Sequence, residues 1–422
     1  MNSKDYIPRT VESYIFDEEL TARHMVFLAG PRQVGKTELA RRLLFSKGCG
    51  ALYFNWDDIA TRQAYRMDSR FFESKARSLP VQDPWIVFDE IHKRVRWRDI
   101  LKGTYDLFKD DFRFLITGSA RLDLFRRSGD SLIGRYNLFH MMPLGLCEAL
   151  EQPHAAESWL LSGFDQLARV FEEAVSNAGG PEFRKAYESL LHLGPFPEPF
   201  LKQSDRFCRK WHQDYISLLI REDLRDVSRV VELDKIENLV LLLASRIMAP
   251  LSMSNLAGEL EVAHTTVKGW LEQLKRLYLI FPVRPWSKKI SRGIRKEKKW
   301  YYVDWYYASE DSARLENMVA SNLYRTCLAL SDTGYGDFRL YFVRTLDKKE
   351  IDFLVTRDGV PILAVEVKSS GTDVSRSLRD RSRWFPKPAT LGVQVTGEPN
   401  VCQKHPNATW LMSADRFLAL MI

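Results

Sequence analysis

The sequence predicts an α/β multidomain protein, and three observations lead to this class. Five short apolar runs within residues 1–142 alternate with helical periodicity, which is typical of a doubly wound sheet. A mainly helical middle region follows, and the C-terminal region combines one amphipathic helix with a strand-rich segment. Because 422 residues exceed the size of one compact core, we predict four domains, at residues 1–142, 143–232, 233–304 and 305–422.

Composition, charge and cysteine spacing indicate the cellular compartment and the kinds of partner. Apolar residues make up 45% of the chain and charged residues 28%, as in ordinary globular proteins, and the formal net charge of +7 permits nucleic-acid binding. None of the five cysteines forms a C-x-x-C pair, which argues against a zinc ribbon. The chain shows neither a membrane span nor an apolar secretory segment at its start. We therefore predict a reduced, cytoplasmic protein with no membrane partner.

The first apolar run leads into a phosphate-binding motif. "MVFLA" reads as a buried strand, "GPRQVGKT" has the G-x-x-x-x-G-K-[ST] spacing, and "TELARRLL" has helical periodicity. Glycine backbone amides and a helix N-terminus suit phosphate groups, while Lys36 would reach the β- and γ-phosphates and Thr37 would ligate Mg²⁺. The alternative is a glycine turn with a chance lysine. The predicted ATP-binding residues are Gly30, Pro31, Arg32, Gln33, Val34, Gly35, Lys36, Thr37 and Glu38.

Two further strands carry candidate catalytic groups. "WIVFDE" ends in Asp89, which would hold Mg²⁺, and Glu90, which would polarise the attacking water. "RFLITGSA" places Thr117 where a polar residue would face the γ-phosphate. Together with "ALYFNWDD" and "RYNLFHMMPL", these runs complete the five strands of the predicted P-loop domain. ATP and Mg²⁺ are the expected cofactors.

Four segments of the N-terminal region resemble a known family. "AGPRQVGKTELA", "IVFDEIHK", "LITGSAR" and "LIGRYNLFHMMPLGLCE" are similar to prokaryotic AAA+ ATPases that carry a C-terminal domain of unknown function of the DUF4143 type. The resemblance implies that Arg135, which follows Gly134, contacts the γ-phosphate either within the chain or from a neighbouring subunit. Arg121 is the second candidate. Alternatively, both arginines pair with local acids.

The middle region predicts a winged helix. "NLAGEL" and "TTVKGWLEQLKRLYLI" have the spacing of a helix-turn-helix, and "LIFPVRPW" and "KKWYYVDW" would form the wing strands. Residues 284–299 hold eight basic side chains and one acid, a composition that suits contact with a phosphate backbone. The alternative is a winged helix that packs on a neighbouring domain and leaves these lysines solvated.

The C-terminal region resembles the PD-(D/E)xK phosphodiesterase fold. The likeness rests on the helix "SARLENMVASNLYRTCLAL", the strand "FRLYFVRT" and the hairpin "KKEIDFLVTRDGVPILAVEVKSS". It implies that Glu316, Asp352 and Glu366 ligate Mg²⁺ or Mn²⁺, with Asp352 and Glu366 also catalytic, and that Lys368 activates water. Two alternatives remain: a binding platform without chemistry, and an ion pair between Glu366 and Lys368 on an exposed strand face.

These observations favour an AAA+ protein that binds and hydrolyses ATP and is coupled to a nuclease-like C-terminal domain acting on nucleic acid. The alternative is a signalling or scaffold ATPase whose C-terminal domain binds a partner without catalysis. Nucleic acid is the expected partner, while a homo-oligomer and a protein partner stay open.

Overall fold

The computed structural model describes residues 6–118, 132–224, 232–287, 297–345, 349–371, 373–385 and 390–422. The chain divides into two compact units. One comprises residues 9–142, and the other comprises residues 143–422 together with the residues up to Pro8. Arg121 and much of the basic stretch before Lys298 lie outside the described residues.

The unit of residues 9–142 is built on a parallel five-stranded sheet. Its strands are β1 (Met25–Ala29), β2 (Tyr53–Asn55), β3 (Trp85–Asp89), β4 (Arg113–Thr117) and β5 (Tyr136–His140). Their order is β2-β3-β4-β1-β5. The helices are α1 (Val11–Ile15), α2 (Glu18–Thr21), α3 (Lys36–Ser46), α4 (Ile59–Met67), α5 (Glu73–Arg77) and α6 (Trp97–Phe108). The α/β class with a doubly wound P-loop sheet is confirmed.

This order puts the candidate phosphate loop at a topological switch. β1 lies between β4 and β5, so the chain leaves β1 in one direction across the sheet and returns to its other side. All five residues of β1 and of β3 are buried, which agrees with the apolar character of β1 and of the first four residues of β3. Ligands of open parallel sheets bind at the carboxyl ends of strands beside such a switch. The loop that follows β1 occupies this place.

The unit of residues 143–422 contains an eight-stranded mixed sheet. Its strands are β6 (Ile280–Pro285), β7 (Lys299–Tyr302), β8 (Phe338–Arg344), β9 (Glu350–Arg357), β10 (Val360–Lys368), β11 (Leu391–Thr396), β12 (Cys402–His405) and β13 (Thr409–Ser413). Their order is β12-β13-β11-β10-β9-β8-β6-β7.

Helices precede this sheet and cover it. The helices of the middle region are α7 (Leu146–Ala149), α8 (Ala156–Leu160), α9 (Leu167–Ser176), α10 (Pro181–Leu193), α11 (Pro197–Lys202), α12 (Asp205–Leu218), α13 (Leu233–Ala244), α14 (Met253–Glu259) and α15 (His264–Arg276). Those of the C-terminal region are α16 (Asp311–Asp332), α17 (Arg376–Arg379) and α18 (Ala414–Leu418). Within the described ranges, no helix combines the length and apolarity that a membrane crossing needs.

The predicted helix-turn-helix corresponds to α14 and α15. The Ser252 side chain accepts from the Asn255 amide and caps α14, and the hairpin β6–β7 follows α15 with Val283 opposite Lys299. The prediction of a separate wing needs a correction, because β6 also pairs in parallel with β8, Arg284 lying opposite Tyr341. Strand periodicity reveals that a strand exists, but it does not reveal which strand becomes its neighbour. The hairpin is therefore part of the C-terminal sheet.

Candidate nucleotide site and C-terminal acidic cluster

The loop between β1 and α3 has the geometry of a phosphate cradle. Gly30 has a φ of 149°, and a Cβ atom there would lie 2.2 Å from the Met141 carbonyl oxygen, so no side chain fits. Gly35 has a φ of 104° and directly precedes α3. These conformations let the loop pass close to neighbouring backbone, just before the N-terminus of α3, where an anion is favoured. The residues present therefore fit a nucleotide phosphate.

Lys36 is the first residue of α3, and its ammonium group reaches back to this loop. Its side chain is buried, and Nζ donates a hydrogen bond to the Gly30 carbonyl at 3.0 Å and another to the Pro31 carbonyl. Neutral carbonyl dipoles hold the ammonium in place without cancelling its charge. An anionic ligand in the loop would consequently meet a positively charged group.

The Asp89 carboxylate accepts hydrogen bonds from three hydroxyl groups. Oδ2 accepts from Thr37 Oγ1 at 3.0 Å and from the Tyr53 hydroxyl, and Oδ1 accepts from Thr117 Oγ1 at 2.5 Å. The side chain of Asp89 is buried at the end of β3. A threonine hydroxyl beside a carboxylate supplies oxygen donors of the kind that Mg²⁺ prefers. Thr37 and Asp89 thus fit a magnesium ion, and Thr117 orients the acid.

Glu90 follows Asp89 in the left-handed region, with a φ of 59°. Its Oε2 lies 3.4 Å from His92 Nε2 and 3.5 Å from Lys93 Nζ. Burial raises the pKa of the Glu90 carboxyl group, and the nearby Lys93 ammonium counteracts part of this shift. A partly buried carboxylate with a raised pKa is suited to accept a proton from water.

The placement of Arg135 corrects one prediction. Its Nε lies 2.9 Å from Asp106 Oδ1, and its carbonyl accepts from the Met25 amide at the first residue of β1. The phosphate loop follows the other end of β1, after Ala29. A γ-phosphate contact within the chain is therefore wrong for this conformation, since the length of the strand separates the two groups. Contact from a neighbouring subunit stays a prediction.

Two residues of this site were not predicted from the sequence. Arg9 is buried, and its guanidinium donates to the Val34 carbonyl at 2.7 Å and to the Met142 carbonyl, so it ties the phosphate loop to the segment after β5. Tyr53 donates to Asp89 from the neighbouring strand β2. Neither residue belongs to a recognisable motif, because each reaches the site only through long-range packing.

The predicted carboxylates of the C-terminal domain lie in one buried cluster. Glu316 on α16 accepts from the Tyr301 hydroxyl at 2.7 Å, and Asp352 on β9 accepts from the Val367 amide at 2.9 Å. Glu366 on β10 lies 2.8 Å from Lys368 Nζ. Glu316 and Glu366 are only 3% and 6% exposed. The side chain of Lys368 is 48% exposed, so the ion pair joins a buried acid to a lysine at the surface.

Lys299 enters the same cluster, although the sequence placed it in a solvent-facing basic wing. Its Nζ lies 3.9 Å from Glu316 Oε1, 3.9 Å from Asp352 Oδ1, and in contact with Glu350 Oε1. Only 1% of the residue is exposed. The assignment of Lys299 to phosphate-backbone contact is therefore wrong, because β7 turns this side chain into the sheet-helix interface.

Burial and repulsion between the acids raise the pKa values of the carboxyl groups in this cluster. Burial raises the pKa of Glu316, and the Asp352 carboxylate raises it further. Burial likewise raises the pKa values of Asp352 and Glu366. Burial alone would lower the pKa of Lys299, but the surrounding carboxylates outweigh it and raise the pKa. The carboxylates and the ammonium stabilise each other's charged forms.

The cluster does not fit the metal site that the family resemblance implied. Among the residues that the structure describes, no group of three or more His, Cys, Asp or Glu side chains is arranged to hold a metal ion. A buried ammonium instead lies beside Glu316 and Asp352. The predicted ligation of Mg²⁺ or Mn²⁺ by Glu316, Asp352 and Glu366 therefore has no support in this arrangement.

A second surface of the same unit is basic. Burial lowers the pKa of Lys298, and the neighbouring charges of Arg284, Lys275 and Lys268 lower it further, while Glu272 opposes them. These side chains come from α15 and from the hairpin β6–β7, so helix and hairpin together present four basic groups, with the acid Glu272 among them. Lys268, Lys275, Arg284 and Lys298 are called the basic face below.

Three family models match consecutive parts of the chain. Residues 22–150 match an AAA domain, residues 184–305 match the domain of unknown function DUF8612, and residues 312–410 match the domain of unknown function DUF4143. The first match covers the sheet of residues 9–142, and the last covers α16 and most of β8–β13. The resemblance noted from the sequence is confirmed at both ends of the chain.

Known relatives are similar over most of the chain. Uncharacterized proteins of Mycobacterium bovis and Mycobacterium tuberculosis are each 25% identical over 367 residues, 84% of this chain and 73% of the relative. One of Methanocaldococcus jannaschii is 25% identical over 318 residues, 70% of this chain and 63% of the relative. The Aeropyrum pernix ORC1 protein in complex with DNA aligns with a TM-score of 0.30 and 13% identity, covering 75% of this chain and 94% of that one. At that TM-score the likeness carries no argument.

Proposed function

We propose that this chain, which joins an AAA domain to a DUF4143 domain, binds ATP with Mg²⁺ and hydrolyses it. The observation that supports this most is the convergence of Thr37 and Thr117 on Asp89 beside the loop that holds Lys36. The loop amides and Lys36 bind and orient the phosphates. A bound Mg²⁺ would neutralise charge that develops on the phosphate oxygens. Glu90 accepts the proton of the attacking water.

The role of Glu90 is tested by Glu90→Gln. The amide keeps the size of the side chain but cannot accept a proton, so we expect ATP turnover to fall about 10²- to 10⁴-fold with nucleotide affinity retained. Steady-state phosphate release and binding of a fluorescent ATP analogue measure the two effects. Glu19→Gln, which changes an exposed acid of α2, serves as the matched control. Wild-type turnover in Glu90→Gln would remove Glu90 from the mechanism.

We further propose that the basic face contacts nucleic acid. Lys268 and Arg284 are exposed, and the like charges around Lys298 are the type of surface that a phosphate backbone neutralises. Changing Lys268, Lys275 and Arg284 to Gln should weaken binding to duplexes of any sequence and reduce the slope of log affinity against log salt by up to about 2.7. Anisotropy titrations at several salt concentrations measure this change.

A matched control separates local contact from overall charge. Lys185, Lys202 and Arg206 are exposed bases of the same unit that lie outside the basic face. Changing these three to Gln removes the same charge and should leave the salt slope close to that of the wild type. Equal loss of affinity in both triple variants would refute a specific contact by the basic face.

The C-terminal domain, in this proposal, does not cut the nucleic acid that the basic face contacts. The Lys299 ammonium group, 3.9 Å from both Glu316 and Asp352, favours binding over metal-dependent cleavage. Supercoiled plasmid incubated with the protein and Mn²⁺ should therefore stay intact. Cleavage that EDTA stops and that Asp352→Ala removes would overturn this part of the proposal and restore the catalytic assignment of Asp352, Glu366 and Lys368.

A further inference from the structure

Lys299 stands at the centre of the C-terminal carboxylates. Glu316 reaches it from α16, and Glu350 and Asp352 reach it from β9. The ammonium nitrogen is equally distant, at 3.9 Å, from an oxygen of Glu316 and an oxygen of Asp352. This is the region that a cation shared by these two carboxylates would have to occupy.

The position of Lys299 is fixed by the fold rather than by its charge alone. Its backbone is paired opposite Val283 in the hairpin, and Nζ lies 5.3 Å from the centre of the Phe342 ring. An ammonium group this deeply buried is stable only when carboxylates and hydrogen-bond acceptors surround it.

The cluster also contains more carboxyl groups than cationic groups. Four carboxyl groups, those of Glu316, Glu350, Asp352 and Glu366, face the ammonium groups of Lys299 and Lys368 and the Arg344 guanidinium. Glu366 Oε2 is buried and has no hydrogen-bond partner in the structure. Without Lys299, the remaining acids would be an uncompensated set of oxygen donors, which is the composition that attracts a divalent cation.

We propose that Lys299 is the resident cation of the acidic cluster: its ammonium group replaces a divalent ion between Glu316 and Asp352, and the domain folds without metal. This inference deepens the proposal that the domain does not cut nucleic acid. It concerns cation occupancy rather than cleavage, so the two are tested separately. If the wild-type protein bound Mn²⁺ at the cluster but left DNA intact, this inference would be wrong while the proposal that the domain does not cut would stand.

The variant Lys299→Met tests the proposal in the full-length chain without nucleotide. Methionine keeps much of the apolar stem but removes the charge, so the unfolding midpoint should fall by about 5–15 °C. Mn²⁺ should raise that midpoint again and should bind with about one ion per chain by electron paramagnetic resonance. The double variant Lys299→Met/Asp352→Asn should lose the response to Mn²⁺.

Lys298→Met is the matched control, because it removes the adjacent lysine and leaves the acidic cluster intact. Like the wild type, it should show no change in midpoint with Mn²⁺ that depends on Asp352. Mn²⁺ binding in the wild type that Asp352→Asn abolishes would overturn the proposal. An unaltered midpoint in Lys299→Met without added Mn²⁺ binding would do the same. If Lys299→Met does not fold, comparison of wild type with Asp352→Asn still decides the outcome.

Discussion

Lys36 and Lys299 are both buried lysines, but different groups accept their hydrogen bonds. Lys36 donates to two carbonyl groups of its own loop, whereas Lys299 lies among three carboxylates from other elements. Carbonyl dipoles position a cation and leave its charge available to a ligand. Carboxylates neutralise the cation, so that the buried lysine contributes to the stability of the fold. The charge of Lys36 is thus available to bind a phosphate group, whereas the charge of Lys299 stabilises the fold.

The largest expected effect is on ligand binding, through Lys36→Ala. Removing an ammonium that would contact two phosphate groups costs about 3–6 kcal/mol of binding free energy, or about 10²- to 10⁴-fold in ATP affinity. The free energy of unfolding without ATP should change less than in Lys299→Met, because Glu90, the carboxyl group whose pKa Lys36 helps to lower, keeps Lys93 Nζ at 3.5 Å. Isothermal titration with an ATP analogue and urea unfolding measure the two quantities. If Lys36→Ala strongly destabilised the protein but still bound ATP, Lys36 would stabilise the fold as Lys299 does, and the proposed difference between them would be wrong.

His212 is, like Lys299, a buried cation that is paired with a carboxylate. His212 Nε2 lies 2.9 Å from Asp304 Oδ2, Nδ1 lies 2.8 Å from the Cys208 carbonyl, and both side chains of the ion pair are 2% exposed. Burial alone would lower the pKa of His212, but Asp304 and Cys208 raise it to about 10 from an ordinary value of 6.5. The contribution of the pair to stability is thus complete below about pH 6.5 and is lost as the pH rises through about 10.

Replacement of His212 by Gln should reveal this pH dependence. At pH 6 the variant should lose about 3–5 kcal/mol of unfolding free energy, because Asp304 stays buried without its cation. The difference from the wild type should shrink towards pH 10, as measured by urea unfolding at several pH values. His192→Gln, at an exposed pair with Asp205, should cost about 0–1 kcal/mol. A constant difference at all pH values would exclude an ionised His212.

The smallest expected effect concerns Arg9, a cation held by carbonyl groups that serves the fold. Arg9→Met would leave the Val34 and Met142 carbonyls without their donors, at a cost of about 1.5–3 kcal/mol in unfolding free energy. ATP affinity should fall less than in Lys36→Ala. Urea unfolding with and without ATP measures both effects, with Arg23→Met, at an exposed position, as control. A larger loss of ATP affinity than in Lys36→Ala would make Arg9 a ligand contact.

The same contrast explains what the sequence could predict. The phosphate loop, Asp89, Glu90 and Thr117 lie in short motifs at the ends of apolar strands, so strand assignment alone brings them to one edge of the sheet. The helix with Glu316 and the hairpin with Asp352 and Glu366 were predicted in the same way. Local patterns predicted the elements and most of the candidate residues.

Pairing between distant elements could not be predicted from periodicity. Lys299 was placed on a basic surface because its neighbours in sequence are basic, and only the pairing of β7 shows that it points into the carboxylates. Arg135 follows a family pattern, but its strand begins at the opposite edge from the phosphate loop. Tyr53 and Arg9 reach the site from segments without a motif. In each case the deciding fact is which chain segments become neighbours.

The pairing of β6 with β8 also determines where the chain can be cut. The Trp286 amide donates to the Phe342 carbonyl at 2.7 Å, and Arg284 and Pro285 lie opposite Tyr341 and Phe342. A fragment that begins at residue 305 would expose this edge of β8 and would leave the acids without Lys299. Open strand edges template association with other chains, so such a fragment should aggregate. The smallest piece that carries the C-terminal fold begins before Ile280, well inside the preceding sequence-defined domain.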